Sequence, residues 1–394
     1  MPNTILKERN VTVEQLLAGA EKIGRLAEQE AQQAEINATV SENVVNLIKE
    51  TQISKMLLPK QYGGPQIDFE IFSKIIRKVA YHNISAAWLT YFYPLHNSLP
   101  SYLPQKGMDE IVNDGGLIVD VFAPVGKAVR DGNGYRISGR WNFASGVLYS
   151  EWIGLGTMIQ LPDSTEPEFC MPIMRTSEVE VLRNWDVLGL RGSGSNSVIV
   201  EDVYVPMERI LRIDEYLVNL KKTPAEDYDQ DYPFYGKPFF SAFYIGFPNM
   251  ALGGAQRLLE EFKERTEKRV RVYQGGASEK NSSRGQKVLA ELMMKYQAAD
   301  GLMEKYIRLL ENHEQAIGPG EFAAMRATII KLCAEIAHKV LSTLGGNAVS
   351  KGDIVELFTR DILTIETHMT SLYEDAIDAY GQNLFGHSTI VVKG

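Results

Sequence analysis

The chain has 394 residues, 44 % hydrophobic and 23 % charged, with a formal net charge of −9. That length suits two or three domains rather than one core, and the acidic balance excludes a nucleic-acid surface of clustered Lys and Arg. Its two cysteines, Cys170 and Cys333, lie far apart without metal-ligand spacing, which excludes a disulfide framework and fits a reducing cytoplasm.

From Thr12, the residues Leu16, Leu17, Ala20, Ile23, Leu26 and Ala27 recur at helical spacing, and Thr12 with Gln15 forms a capping box. Val44, Val45, Leu47 and Ile48 make a second stripe. Phe72, Ile75, Ile76 and Val79 make a third, after a loop holding Pro59, Gly63, Gly64 and Pro65. Residues 1–115 therefore read as an α-helical domain. Near its end, Trp88, Tyr91, Phe92 and Tyr93 crowd around His96. One imidazole in an aromatic pocket suits acid–base chemistry on an aromatic ligand, and the plainer alternative is a core histidine.

From Gly116 the pattern becomes short alternating runs, Leu117 to Phe122, Tyr135 to Ile137, Trp141 to Phe143, Trp152 to Met158 and Glu168 to Ile173. Turn signals such as Asp131-Gly132-Asn133-Gly134 separate them, so residues 116–207 read as a β-barrel or sandwich ending near Pro206. Residues 208–237, rich in Asp, Tyr and Pro, read as a linker or lid. Residues 238–394 read as a four-helix bundle. Its clearest stripe is Phe322, Met325, Ile329, Leu332, Ile336 and Val340, bounded by Gly318-Pro319-Gly320 and Gly345-Gly346. Spare apolar faces on the bundle predict a homo-oligomer, a tetramer or dimer. No run reaches membrane-spanning length and the start lacks a signal-peptide pattern, so a cytoplasmic location is expected. There is no Gly-x-Gly-x-x-Gly after a strand and no Walker loop, so a nicotinamide site is not indicated.

The most distinctive stretch runs from Arg183 to Pro206. Strand-like runs Trp185 to Leu190 and Ser197 to Val205 flank a turn where Gly192 and Gly194 permit φ > 0 and Ser193, Ser195 and Asn196 supply small polar groups. This predicts a β-hairpin with a polar tip, or an ordinary hairpin whose serines cap their own turn. The wording Trp185, then Gly189-Leu190-Arg191-Gly192-Ser193-Gly194-Ser195, then Val200-Glu201-Asp202-Val203-Tyr204-Val205-Pro206 resembles the end of the middle β-domain in acyl-CoA dehydrogenase-like flavoproteins. The nearest look is to the two-component flavin-dependent monooxygenase branch, the dibenzothiophene monooxygenases and phenol-type hydroxylases.

The resemblance implies an α+β fold, mostly α, of a helical amino-terminal domain, a middle β-barrel and a carboxy-terminal four-helix bundle. It implies that Gly139 to Gly146, with Phe143, Ala144 and Ser145, lies against a flavin, reduced FMN or FAD, and that Ser145 is a partner for flavin N5. Trp185, Arg191, Ser193 and Ser195 would join it. Arg271, Gln286, Gly345 and Gly346 match positions that contact the distal part of the nucleotide, although a Gly-Gly turn is by itself also a simple helix cap. His96 and His368 match active-site histidines of the monooxygenases. Partners implied are a flavin reductase, O₂ and a small aromatic substrate.

Dehydrogenation of an acyl-CoA needs a carboxylate to take the α proton, and in most of the family that this chain resembles it lies a short distance after an Arg-Asp pair. Here the pair is Arg360-Asp361 and the spacing puts Met369 in that place, a thioether that cannot take a proton. Between Asp231 and Glu260 there is no Asp or Glu. The sequence thus predicts a flavin-dependent monooxygenase. An acyl-CoA dehydrogenase with Glu366 as a displaced base, and a non-catalytic flavin-binding scaffold, are the alternatives.

Overall fold

A computed structural model describes residues 11–219, 234, 238–271, 275–311 and 318–387. Most of the lid segment expected at 208–237 therefore lies outside the described residues.

The helices begin where local chemistry starts them. Helix α1 (Val13–Gln29) opens on Thr12, whose hydroxyl accepts from the Gln15 N–H while the Gln15 side chain accepts from the Thr12 N–H. Short α2 (Ala31–Asn37) and α3 (Glu42–Glu50) follow, then α4 (Phe69–His82), capped by Asp68. Asn83 caps α5 (Ile84–Ser98), which is buried on nearly all sides, as its run of small, aromatic and aliphatic residues requires. Helix α6 (Gln105–Asp114) leads into the sheet.

Seven strands form that sheet: β1 (Ile118–Asp131), β2 (Gly134–Ala144), β3 (Trp152–Ile159), β4 (Glu168–Arg175), β5 (Glu180–Leu182), β6 (Asn196–Pro206) and β7 (Ile210–Arg212), in the order β5-β6-β2-β1-β3-β4-β7. Strand β1 pairs in parallel with β3 through its first half and antiparallel with β2 through its second. An irregularity between Val121 and Gly126 bends it and turns one sheet into two joined halves. Gly132 takes a positive φ in the two-residue β1–β2 turn, where the sequence signalled it.

Three expectations are corrected here. The described strands leave β5 and β7, each three residues long, as the two ends of the sheet rather than pairing them to close a barrel. The sheet continues past Pro206 into β7, which pairs with β4. And Trp185 to Leu190 is not a strand: β6 pairs with β5 instead, and the intervening loop draws its hydrogen bonds from side chains. Asn196 Oδ1 accepts from the N–H groups of Asn184 and Trp185, Trp185 Nε1 donates to Leu190 O, and Leu190 N–H donates 2.6 Å to Asp361. Side-chain acceptors replaced a ladder.

The remaining helices are α7 (Phe239–Phe243), α8 (Gly246–Lys268), α9 (Ser283–Glu311), α10 (Pro319–Leu344), α11 (Ile354–Glu366) and α12 (Tyr373–Leu384). Helix α10 starts after Gly318 and stops at Gly345, as its glycines predicted, and packs against α8, α9, α11 and α12. Helix α5 touches α4, α8 and β1, so its side chains stand where the helical layers meet the sheet. Among the described residues no helix is long and apolar enough to cross a membrane, and no His, Cys, Asp and Glu cluster could hold a metal ion.

Candidate active site

At that junction lies an aromatic wall. His96 of α5 stacks 6.0 Å from Phe243 and sits 4.8 Å from Phe92, while His368, just beyond α11, is 4.6 Å from Phe247 and 6.1 Å from Trp88. Phe247 also contacts Trp88 and Phe92, so both imidazoles belong to one cluster although 272 positions separate them in sequence. Burial pushes the His96 imidazole down to about 3, with the Ile118 backbone opposing. Burial, then the charge of Arg326, pushes His368 down to about 4. Both are neutral at pH 7.

His96 faces a carboxyl that the sequence pattern did not single out. Its Nε2 lies 3.1 Å from Oδ2 of Asp120, with the two side chains 1 % and 4 % exposed. Burial raises Asp120 well above the ordinary carboxylate range. The signal was in the sequence: one Asp inside the apolar run Ile118-Val119-Asp120-Val121-Phe122, where alternation alone calls for no acid. Asn97, next to His96, bolts the helix to the strand by accepting from Ile118 N–H at 2.9 Å and donating to Ser54 O at 2.8 Å.

Ser145 stands at the end of β2. Trp88 Nε1 donates to its Oγ at 2.9 Å, and Oγ pairs at 2.7 Å with Ser195, which pairs at 2.7 Å with Ser193. This file of hydroxyls ties α5, β2 and the Gly-rich loop together, and Gly146 N–H donating to Ser193 O adds a backbone tie. Ser193 is fully buried, so its hydroxyl serves Ser195 rather than an open face. Between Trp141 and Ala144 the β2–β6 register slips, and Phe143 takes φ 70. A bulky residue there costs about 1–3 kcal/mol. Its effect is to turn the Phe143 ring outward, 68 % exposed and edge-on to Trp185 at 6.1 Å, beside buried Ala144 and Ser145.

Those features fit a flat, partly apolar ring system with polar edges: an uncovered aromatic pair, a strained bulge that presents it, and a hydroxyl file at its side. The other predicted cofactor residues lie apart. Arg191 is occupied within the protein by Asp186, Val187 O and Glu35 O. Gln286 is exposed and donates to Lys280 O. Arg271 lies in the two-residue strand Val270–Arg271 that follows α8, and its neighbour Arg269 donates to Thr343 O near the Gly345-Gly346 turn.

The position of a thioester base is empty of acids. Met369 is 64 % exposed, and Glu366 is half-buried among Lys331, Glu335 and Glu374. Asp361 is buried but spent on Leu190 N–H. Arg326, also missed from sequence, is a buried cation that donates to Thr370 O at 2.8 Å and stands 5.1 Å over the Tyr244 ring.

Residues 245–371 match the family model described as acyl-CoA dehydrogenase, C-terminal domain. Over 90 % of its length the chain is 26 % identical to the flavin-dependent monooxygenase oxygenase subunit HsaA of Rhodococcus jostii, covering 94 % of that protein. Through that domain and across most of its length, the chain is thus similar to acyl-CoA dehydrogenase-like flavin-dependent monooxygenases. It is also 24 % identical to the oxygenase component of p-hydroxyphenylacetate 3-hydroxylase of Acinetobacter baumannii, across 90 % of the chain and 85 % of that protein. Among solved structures, XiaF from Streptomyces sp., in complex with FADH2 and glycerol, superposes with a TM-score of 0.87 at 20 % identity, covering 96 % of this chain and 97 % of XiaF.

Proposed function

We propose that this flavoprotein is the oxygenase component of a two-component monooxygenase that oxygenates a small aromatic or heteroaromatic ring, in a homo-oligomer, most simply a tetramer, in the cytoplasm. One observation carries the reading: buried His96 and partly buried His368 share one aromatic cluster, and the residue at the would-be thioester base position is an exposed Met369. Reduced FMN or FAD, delivered by a separate reductase, supplies the activation of O₂.

The chain's own residues do the rest. Phe143 and Trp185 offer the flavin an apolar face, and Ser145, already accepting from Trp88, presents a proton or a lone pair to the ring's edge. Trp88, Phe92, Phe243 and Phe247 exclude water, which keeps a reactive oxygen species from decomposing. His96 positions the substrate. His368, whose Nδ1 is 2.9 Å from the Thr370 hydroxyl, handles the proton on the oxygen side. Arg271, Gln286 and the Gly345-Gly346 turn would meet the distal nucleotide. The division into a helical part to about 115, a β part that runs on through β7 to Arg212 and a bundle from 238 belongs to the same proposal.

The test supplies chemically reduced flavin, ¹⁸O₂ and a panel of phenols and indoles. The expected result is one ¹⁸O atom in an aromatic product. Oxygen uptake that gives only hydrogen peroxide with every ring tested would overturn the reading.

A further inference from the structure

Asp120 is a buried carboxyl that the proposed reaction has not used. Its Oδ2 approaches His96 Nε2 to 3.1 Å, yet neither atom, nor His96 Nδ1, is in an aligned hydrogen bond. Three buried polar atoms with no aligned hydrogen bond are costly unless a proton or a ligand settles them, about 1–3 kcal/mol each.

We propose that Asp120 is a positioning residue that locks His96 as an Nδ1–H donor toward an oxygen of the aromatic substrate, with one proton held between Asp120 Oδ2 and His96 Nε2. The choice of ligand rests on the oxygenase reading; the lock itself does not.

Burial disfavours a charge on either group, so the carboxyl keeps its proton and the imidazole stays neutral. A carboxylic acid facing Nε2 donates to it, and a neutral imidazole that accepts at Nε2 carries its hydrogen on Nδ1. If the proton crosses, the pair becomes imidazolium and carboxylate, and Nδ1 still carries hydrogen. Both arrangements therefore present a donor and neither presents a base. When a bound phenol gives its proton to solvent, the Oδ2–H bond breaks, an Nε2–H bond forms, and the imidazolium faces the phenolate with its charge balanced by Asp120. His96 therefore stabilises a phenolate oxygen rather than abstracting its proton. The other groups facing the pair are Phe92, Phe243, the Ile118 backbone and Tyr244, whose hydroxyl burial pushes up to about 12. Arg326, over the Tyr244 ring, is a cation on that side.

Two measurements on the full chain without flavin test this. The first is ¹⁵N NMR of histidine-labelled protein, practical with six histidines, with His96 assigned by the signal lost in His96→Gln. Hydrogen on Nδ1 throughout pH 5 to 8 is expected. A neutral ring protonated on Nε2 with a bare Nδ1 would overturn the proposal with no need for an Asp120 variant. The second follows the phenolate absorbance of bound 4-nitrophenol. In Asp120→Asn the amide can still donate to Nε2 but cannot pass a proton on, so the bound phenol's pKa should rise by about one unit, and Asp120→Glu should restore part of it. An unchanged titration in Asp120→Asn would also overturn it. A chain that passes both and yields no oxygenated product fails the oxygenase reading alone.

Discussion

The two histidines belong to one aromatic cluster and have opposite neighbours. His96 is sealed on a buried helix against a carboxyl, whereas His368 sits at a helix end, braced by the Thr370 hydroxyl next to a buried guanidinium. Burial makes both neutral, so charge does not distinguish them; the neighbour does. A carboxyl makes its imidazole a donor to an anion, and a cation makes its imidazole reluctant to protonate, which suits a group that must hand a proton on and stay neutral.

The largest break in that comparison should come from His368→Ala. Losing a positioned proton-transfer group costs about 10²–10⁴-fold in the step it serves. The variant should still bind flavin yet release hydrogen peroxide in place of product, measured as the ratio of product formed to O₂ consumed; tight coupling would remove His368 from the oxygen side. His96→Ala should instead weaken substrate binding and leave oxygen activation nearly intact, visible as a raised KM.

Stability against pH sharpens the contrast next. Each imidazole has a folded pKa, about 3 and about 4, below its ordinary 6.5, so the stability it contributes is present above 6.5 and is lost as pH falls toward 4. Asp361 runs the other way. Burial pushes it from 3.8 up to about 7, so its contribution is present below 3.8 and is lost as pH rises through 7. Asp361→Asn, which can still accept from Leu190 N–H, should flatten the alkaline side by about 1–4 kcal/mol. Thermal melts from pH 4 to 8 read both limbs, and an unaltered alkaline limb in that variant would deny Asp361 its role.

Ser145→Ala carries the smallest expected effect. It removes one acceptor for Trp88 and one partner of Ser195, worth about 1–3 kcal/mol in a buried place. Flavin affinity should fall about tenfold or more while the melt moves a few degrees. Unchanged affinity would place the flavin elsewhere.

Much of this was legible where local chemistry decides the outcome. Thr12 with Gln15 starts α1, Gly318 and Gly345 bound α10, and Gly132 turns β1 into β2. The motif words located His96, Ser145 and His368, and the structure brings these three to one wall. What the sequence hid depended on long-range partners. Trp185 to Leu190 looks like a strand because nothing local reveals that Asn196 and Asp361 will take its hydrogen bonds. Asp120 stands out in its apolar run, but only the fold shows that its neighbour is the helix bearing His96. Arg326 sits in a helical stripe whose apolar neighbours concealed that a cation was buried with them.

The chamber's reading as an oxygenase site depends on having no carboxylate ready to take a proton from a thioester. The direct measurement is anaerobic mixing of the oxidised flavin form with acyl-CoA thioesters of varied chain length, watched by flavin absorbance. The flavin should stay oxidised with every thioester; rapid bleaching, with an enoyl-CoA product, would contradict the account.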